Sequence, residues 1–249
     1  MKTDSSFLAG PGMRWVLPSL LVVAVCAGCA TVPNADPRDP LESFNRGVYR
    51  FNEAVDKAVF KPAAIAYRDV VPEPIRDGVG NFLGNLEDVW SFVNNLLQFK
   101  GEAAAHSFMR FNINTVMGLG GILDVASEMR IPHRYADFSQ TLGVWGLPDG
   151  PYLVLPFTGS SILRDLVARP VDRQGYLISR VADIPVRNAL LVLDQLDTRV
   201  YLLRAGALLD EAALDKYSFT RDAFLQRRRN AVYDGAPPEE STGSKPAAP

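Results

Sequence analysis

The chain of 249 residues has a formal net charge of −2, with 47% hydrophobic and 22% charged residues. This is the composition of a folded protein, and it excludes a disordered, collagen-like or disulfide-dense chain. Its 26 basic residues are scattered among 28 acidic ones, whereas nucleic-acid binding requires Lys and Arg concentrated against phosphates. We therefore expect one folded domain and no nucleic-acid partner.

The N-terminal segment has the pattern of a bacterial lipoprotein signal. Met13 and Arg14 precede an apolar run that ends in small residues before Cys29. The run, about thirteen residues, is shorter than the roughly 20 apolar residues of a membrane-spanning helix. We predict a signal peptide over residues 1–28, with Met13 as an alternative translation start, and acylation of Cys29. An uncleaved signal anchor is the alternative interpretation.

The residues that follow predict an anchored, largely helical chain. Residues 29–38 form a polar linker, and Ala30 after the acylated cysteine is typical of sorting to the outer membrane. Asp39, Pro40 and Glu42 supply an N-cap, a proline at N1 and an acid at N3, which together indicate a helix start. The apolar stripe of this helix consists of Leu41, Phe44, Val48, Phe51, Val55 and Val59.

Further helices follow in chain order. The second begins after Pro72 and Pro74, and its apolar stripe is Leu86, Val89, Trp90, Val93, Leu96 and Leu97. Residues 102–117 continue as a helix. The glycines at 118, 120 and 121 break it, and residues 122–129 form a short helical turn.

The second half of the chain starts with a different pattern. Helical periodicity is lost over residues 131–160, where glycine and proline recur, and this favours a hairpin or an extended loop. Ser160 and Ser161 are predicted to cap a short helix that ends at Ala168. A long helix over residues 185–209, apolar around most of its circumference, must be buried or contact lipid. A final helix covers residues 217–233, and residues 236–249 are predicted to be disordered.

The sequence offers little that could carry catalysis. His106 and His133 have no second ligand at metal-like spacing, so we expect neither a metal site nor a catalytic role for them. Ser160, Asp165 and His133 could form a hydrolase triad only by chance assembly. The segment Gly118–Gly121 is neither a dinucleotide fingerprint nor a P-loop. Arg227, Arg228 and Arg229 could meet lipid phosphates or an acidic partner, but a solvated helix face is the more frequent reason for such a run.

A series of ordered motifs resembles the VacJ/MlaA family of outer-membrane lipoproteins. The motifs are Asp39-Pro-Leu-Glu-Ser-Phe-Asn-Arg-Gly-Val-Tyr-Arg-Phe-Asn, Tyr67-Arg-Asp, Asn85-Leu-Glu, Arg110-Phe, Asn114-Thr, Gly118-Leu-Gly-Gly-Ile-Leu-Asp, Thr141-Leu-Gly, Gly150-Pro-Tyr-Leu-Val-Leu-Pro and Arg164-Asp. With Asp215, Tyr217, Arg221 and Gln226 they extend over about residues 39–235, which we take as one helical domain.

The resemblance implies a mainly α fold, a ring of amphipathic helices in the inner leaflet of the outer membrane with a polar channel and one Gly/Pro-rich hairpin. It also implies that the protein is not an enzyme and needs no cofactor beyond its covalent lipid. Family members remove mislocalised phospholipid from the outer leaflet, associate with trimeric porins and pass lipid to a periplasmic carrier that feeds an inner-membrane ABC complex. Two other classes stay open from the residues: an envelope scaffold or tether, and a secreted hydrolase.

For lipid transport, the sequence suggests three elements. The first helix would form a two-faced wall, with Asn45, Arg46 and Asn52 on or beside its polar side and Phe44 and Phe51 on its apolar side. Gly118, Gly120 and Gly121 would allow a tight bend. Gly150, Pro151 and Tyr152 begin a loop that would cover the opening.

Overall fold

The computed structural model describes residues 36–238. The predicted signal peptide, Cys29, most of the predicted linker and residues 239–249 of the tail lie outside this range. Within it the chain forms nine α-helices and one two-stranded hairpin, so the prediction of a mainly α fold is confirmed.

The elements in chain order are α1 (Glu42–Val55), a π-helical turn (Asp56–Phe60), α2 (Lys61–Val70), α3 (Glu73–Leu97), α4 (Gly101–Val116), α5 (Val125–Glu128), α6 (Phe138–Val144), β1 (Tyr152–Leu155), β2 (Gly159–Ile162), α7 (Leu163–Gly175), a 3-10 turn (Leu177–Arg180), α8 (Ile184–Ala212) and α9 (Lys216–Val232).

The predicted N-cap of the first helix is wrong. The N-cap position is Leu41, which offers no side-chain hydrogen bond. Asp39 is instead fully buried, where its carboxylate accepts hydrogen bonds from Asn45 Nδ2 at 2.7 Å and from the Tyr217 hydroxyl at 2.5 Å. The guanidinium of Arg221 lies 3.5 Å away. This charged and hydrogen-bonded environment stabilises a carboxylate more than the exposed amides of a helix start would.

Helices α3 and α4 pack along each other through polar side chains. Asn85 Nδ2 donates to Thr115 Oγ1 at 3.0 Å, and Asn95 Nδ2 donates to Ser107 Oγ at 3.3 Å. The buried polar residues of α3 are Asn85, Asp88, Ser91, Asn94 and Asn95. Leu96, in the predicted apolar stripe, is half exposed. The polar face of α3 therefore points inward and part of its apolar face points outward.

This inversion extends over the whole described chain. Nineteen polar or charged residues are buried, against twelve hydrophobic ones. Large apolar side chains lie on the outside, among them Phe44, Phe51, Phe99, Val192 and Tyr201. Removing apolar surface from water contributes about 25 cal/mol of stabilising free energy per Å². Apolar side chains on the outside of the protein lack this stabilisation in water, but they gain it when they contact acyl chains. The distribution is typical of a protein whose outer surface contacts lipid.

The prediction of an extended segment over residues 131–160 is confirmed for the hairpin at its end. It is wrong for residues 138–144, which form helix α6. Helix α6 forms there because Asp137 is its N-cap, with a carboxylate that accepts from the Gln140 amide at 2.7 Å. The antiparallel strands β1 and β2 pair Tyr152 with Ile162 and Leu155 with Gly159. A two-stranded hairpin is stable only when packed against other elements.

Ser160 and Ser161 do not cap a helix as predicted. Both lie in β2, where strand pairing engages their backbone groups. Helix α7 begins at Leu163 and continues through Pro170 to Gly175. The prediction ended this helix early because a proline inside a helix removes a backbone hydrogen bond.

The apolar core lies where the hairpin meets the last helix. It consists of Tyr152, Val154, Ile162, Tyr217 and Leu225. The predicted bounds of α8 and α9 agree with the observed ones to within three residues. This small core fixes the hairpin and α9, both of which contribute to the cavity described next.

Candidate functional site

A cavity of about 830 Å³ lies between helices α3, α6, α7, α8 and α9. Its volume is within the range of small-molecule binding sites, about 300–1,000 Å³. The charged residues that line it are Glu87, Asp137, Asp165, Arg169, Asp172, Arg173, Asp194, Arg227 and Arg228. Apolar side chains such as Leu86, Leu191 and Phe224 complete the lining. The cavity therefore combines many charged side chains with an apolar part of its lining, whereas large apolar side chains are exposed on the outside of the protein.

Arg228 is the buried cation of this lining. One of its amino groups donates to Asp137 at 2.6 Å and the other donates to Asp165 at 2.6 Å. Asp165 also accepts a hydrogen bond from the Ser139 hydroxyl. Burial alone would lower the pKa of Arg228, but the hydrogen bond and charge of Asp137 and the charge of Asp165 raise it. The guanidinium stays charged and joins α9 to the start of α6 and to α7.

Asp172 and a tyrosine pair form another part of the wall. The Asp172 carboxylate accepts from Trp90 Nε1 and from the Phe138 amide, each at 2.8 Å. Burial raises the pKa of Asp172. The hydroxyls of Tyr135 and Tyr176 are hydrogen-bonded to each other at 2.6 Å. These bonds hold α3, α6 and α7 around the cavity.

Glu87 is the titratable group that the cavity perturbs most clearly near neutral pH. Its pKa is raised to about 7, chiefly by burial and also by the charges of Asp194 and Asp88, while His133 opposes the shift. Burial also raises the pKa of Asp194. Neither Glu87 nor Asp194 forms an ion pair with any residue whose side chain is described in the range 36–238. The cavity thus holds two carboxylates without a cationic partner.

Glu87→Gln is expected to stabilise the protein, and the effect should depend on pH. The folded protein holds the Glu87 proton up to a pKa of about 7, above the usual 4.5, so the carboxyl destabilises the fold progressively as pH rises through that window. Allowing for partial exposure, we expect a gain of about 1–2 kcal/mol in the free energy of unfolding at pH 8 and little change at pH 5. Urea unfolding in detergent at both pH values measures this. An equal effect at both would contradict it.

Large apolar side chains are exposed on the outer surface around the site. Phe99, at 93% exposed, is an extreme example of the apolar side chains there. Across residues 36–238 no helix is both long and apolar enough to cross a membrane. In the same range no cluster of His, Cys, Asp or Glu has the arrangement needed to hold a metal ion.

Comparison with known proteins identifies the family. The family model for the MlaA lipoprotein matches residues 37–231. The chain belongs to the MlaA lipoprotein family. The "Intermembrane phospholipid transport system lipoprotein MlaA" of Shigella flexneri is 38% identical over 216 residues, which cover 83% of this chain and 84% of that protein. The protein of the same name in Escherichia coli K12 is similar to the same extent.

Two further comparisons support the same family. The MlaA lipoprotein of Haemophilus influenzae is 34% identical over 231 residues, which cover 89% of this chain and 92% of that protein. A solved structure described as "Structural basis for maintenance of bacterial outer membrane lipid asymmetry" matches with a TM-score of 0.70 and 35% identity. The match covers 78% of this chain and 98% of that one.

The residues predicted on the first helix do not line the cavity. Phe44 and Phe51 are exposed on its outer face. Asn45 is fully buried, and it donates to the Tyr152 carbonyl at 3.0 Å and accepts from the Val154 amide at 2.8 Å. The structure therefore uses Asn45 to fasten α1 to the hairpin.

Asn52 and Arg46 also make structural contacts. Asn52 donates to the Leu155 carbonyl and accepts from the Phe157 amide, both at 2.8 Å, which repeats the contact of Asn45 two turns further along α1. Arg46 forms an ion pair with Asp215 at 2.6 Å. The spacing of seven residues between Asn45 and Asn52 indicates that both lie on one face of α1. It does not indicate that their hydrogen-bond partners are backbone groups at the edge of a β-strand.

The predicted glycine bend lies in the α4–α5 connection, away from the cavity. A Cβ on Gly118 would lie 2.1 Å from the Leu123 carbonyl oxygen, and one on Gly121 would lie 2.6 Å from Asn85 Nδ2. Gly120 has a φ of +77° with open space around it. Neighbouring atoms thus leave no room for a side chain at positions 118 and 121. At position 120 the positive φ of the backbone favours glycine.

The predicted covering loop, which begins with Gly150, Pro151 and Tyr152, does not line the cavity. Tyr152 is fully buried in the core. The Pro151 carbonyl accepts from the Leu163 amide at 3.2 Å, and Gly150 has a φ of +68°. Of the hairpin, Thr158 at its turn lines the cavity.

The hydrolase triad is not assembled. Ser160 is hydrogen-bonded to the Tyr152 hydroxyl at 2.8 Å, and Asp165 is occupied by Arg228. His133 Nε2 lies 3.0 Å from the Asp88 carboxylate. Each member therefore has its own partner elsewhere.

Sequence reasoning missed the charged lining of the cavity. Glu87 and Asp194 occupy helices that are far apart in the sequence, and nothing in either helix marks its acid as facing inward. The arginine run at 227–229 gave a signal, but the expected solvated face is wrong for Arg228, which is 9% exposed. The spacing of Arg169 and Arg173, one helical turn apart, was the other available signal.

Proposed function

We propose that this chain is an outer-membrane lipoprotein that removes mislocalised phospholipid from the outer leaflet and so maintains lipid asymmetry. The observation that carries the proposal is the combination of an apolar exterior with a charged cavity. A phospholipid that crosses a leaflet must keep its charged headgroup away from hydrocarbon, because a bare charge there costs many kcal/mol. The polar cavity would receive the headgroup while the acyl chains stay in the lipid around the helices.

The family assignment supports the same function. Relatives that are 34–38% identical over most of their length carry the name of an intermembrane phospholipid transport system. The related solved structure concerns outer-membrane lipid asymmetry.

The sequence-predicted residues take supporting parts in this proposal. Acylation of Cys29 would anchor the protein to the periplasmic leaflet of the outer membrane. Phe44 and Phe51 would contact acyl chains from the outer face of α1, while Asn45 and Asn52 hold the hairpin whose turn reaches the cavity. The helices would form a ring around the lipid passage, with the bend at Gly118, Gly120 and Gly121 supporting α4.

We further propose that the protein works with partners. A trimeric porin would hold it in the membrane, and a soluble periplasmic carrier would take the lipid onward to an inner-membrane ABC complex. No cofactor takes part in such a transfer, because a headgroup that moves along a charged path requires binding and release only.

A tryptophan that narrows the cavity should block transport. Gln195 on α8 lines the cavity and is exposed, so Gln195→Trp should narrow it without disturbing the core. We expect phospholipid to accumulate in the outer leaflet of cells that carry this variant, at the level of a complete deletion strain. Labelling of surface-accessible phospholipid in intact cells measures it, with membrane attachment checked by fractionation.

The matched control lies on the same helix. Val186 is half exposed and does not line the cavity. It is nine residues from position 195, so it points to the opposite side of the helix at about 100° per residue. Val186→Trp should leave lipid distribution at the wild-type level. A deletion strain with normal outer-leaflet phospholipid would overturn transport itself, and a fully active Gln195→Trp variant would overturn the cavity route and favour a tether.

A further inference from the structure

Three arginines and two acids of the cavity lining lie on two different pairs of helices, called the first and the second wall. Arg169 and Arg173 lie one turn apart on α7, and Arg227 lies on α9. Glu87 lies on α3 and Asp194 on α8, which pack against each other. The arginines therefore belong to one pair of elements and the two acids to the other. The other acids of the lining are Asp165 and Asp172 on α7 and Asp137 at the start of α6.

The three arginines of the first wall have no ion-pair partner among residues 36–238 whose side chains are described. The neighbouring cation, Arg228, is different because Asp137 and Asp165 already neutralise it. Guanidinium groups without a carboxylate partner in a cavity are suited to bind a phosphate, which accepts two parallel hydrogen bonds from one guanidinium. This wall has the chemistry to receive a phosphodiester.

The two acids of the second wall form no ion pair with the described residues, and His133 is near enough to Glu87 only to lower its pKa in part. Two carboxylates that repel each other in a partly buried position are stabilised by a cation between them. The third acid that has no guanidinium partner, Asp172, is already held by the Trp90 indole and the Phe138 amide. Glu87 and Asp194 are therefore the acids left to bind a ligand's ammonium group, with the Gln195 side chain as a neutral hydrogen-bond partner of Asp194.

The lining as a whole is almost neutral. It contains five carboxylates, at Glu87, Asp137, Asp165, Asp172 and Asp194, and four guanidinium groups, at Arg169, Arg173, Arg227 and Arg228. The sum is 4 − 5 = −1 when all nine are ionised. Such a cavity gives an additional anion no net attraction, whereas a ligand with separated positive and negative charges satisfies both walls.

We propose that the cavity selects phospholipids with a phosphoethanolamine headgroup over phospholipids with a net anionic headgroup. The phosphodiester would bind the guanidinium groups of Arg169, Arg173 and Arg227, and the primary ammonium would bind Glu87 and Asp194. This inference rests on the proposed function and adds the substrate class to it. A phosphoglycerol headgroup has the same phosphodiester but only hydroxyls for the second wall, so it leaves both carboxylates unpaired.

The experiment measures which lipid the full-length acylated protein retains. The protein in detergent is incubated with vesicles of equimolar phosphatidylethanolamine and phosphatidylglycerol with identical acyl chains, re-isolated, and its bound lipid is quantified by mass spectrometry. We expect an enrichment of phosphatidylethanolamine of about fivefold, the size of one partly exposed charge pair. Equal retention of the two lipids would overturn the selectivity.

Substitutions test the two walls separately. Glu87→Gln and Asp194→Asn should each bring the lipid ratio towards one without lowering the total lipid bound. Arg173→Gln should lower the retention of both lipids together. The matched controls are Glu128→Gln on α5 and Arg68→Gln on α2, because both residues are exposed and outside the cavity. Because the two acidic variants are independent, one that fails to fold leaves the other to decide.

The outcomes separate this inference from the proposed function. Retention of neither lipid by the wild type would overturn both. Retention of both lipids in equal amounts would leave transport standing and overturn only the headgroup preference. A soluble headgroup, glycerophosphoethanolamine, is the third arm. If it binds in the cavity while vesicle lipid does not, the cavity recognises a free phosphoethanolamine compound and the lipid assignment is overturned.

Discussion

Gly118→Ala is expected to prevent stable folding, with a loss of about 3 kcal/mol or more in the free energy of unfolding. A Cβ at this position would lie 2.1 Å from the Leu123 carbonyl oxygen and 2.5 Å from the Asn114 carbonyl oxygen. Both are backbone atoms, so no side-chain rotation relieves the contact. The Gly118 carbonyl also accepts from the Leu123 amide at 2.9 Å, which fixes the loop against the end of α4.

The measurement is urea unfolding of the detergent-purified protein, together with its amount in the cell envelope. Gly120→Ala is the matched control, two residues further along the same bend. Gly120 has a φ of +77°, and a Cβ added there would meet no atom within 4 Å, so only the backbone strain of about 1–2 kcal/mol is expected. Equal losses for the two variants would show that the carbonyl contact does not set the requirement for glycine at position 118.

Arg228→Met is expected to cost about 3–5 kcal/mol, the usual result when one partner of a buried ion pair is removed. Methionine has a similar length and fills the space of the side chain. It leaves the carboxylates of Asp137 and Asp165 without their cation, in the wall where Arg228 held both at 2.6 Å. Asp137 keeps its bond to the Gln140 amide, so α6 retains its N-cap.

Urea unfolding followed by far-UV circular dichroism gives the loss. Arg227→Met is the control, because Arg227 is exposed and adjacent in the sequence, and a change within about 0.5 kcal/mol is expected for it. The double variant Arg228→Met/Asp165→Asn should recover part of the loss, since it removes one of the unpaired charges. A single Arg228→Met variant as stable as the wild type would show that the network does not hold α9 to α6 and α7.

The helices themselves follow from local sequence. Local signals predict the approximate positions of α1, α3, α4, α8 and α9. These signals are apolar residues at helical spacing, prolines near helix starts and glycines at helix breaks. The family is also carried by sequence, through motifs in a fixed order. Local errors arose where a side chain had a distant partner. Asp39 was mistaken for a cap because Tyr217, which holds it inside the fold, is 178 residues away.

The direction in which each helix face points depended on tertiary structure. An amphipathic pattern shows that a helix has two faces, but the same pattern fits an apolar face in a water-shielded core and an apolar face in lipid. In this protein the buried face of α3 is the polar one, because Asn85 and Asn95 find partners on α4 and beyond.

The lipoprotein signal pattern, the mainly α fold and the family can be predicted from the amino-acid sequence, because they depend on residues close together in the chain or on motifs in a fixed order. The tertiary structure brings two acids, Glu87 and Asp194, into the lining of one cavity together with Arg169, Arg173 and Arg227. These charges come from four helices, and a helix start or an apolar stripe carries no information about which other helix will lie opposite. The physical reason is that such a site is made by packing between distant segments, whereas local propensity acts within a few residues of the chain.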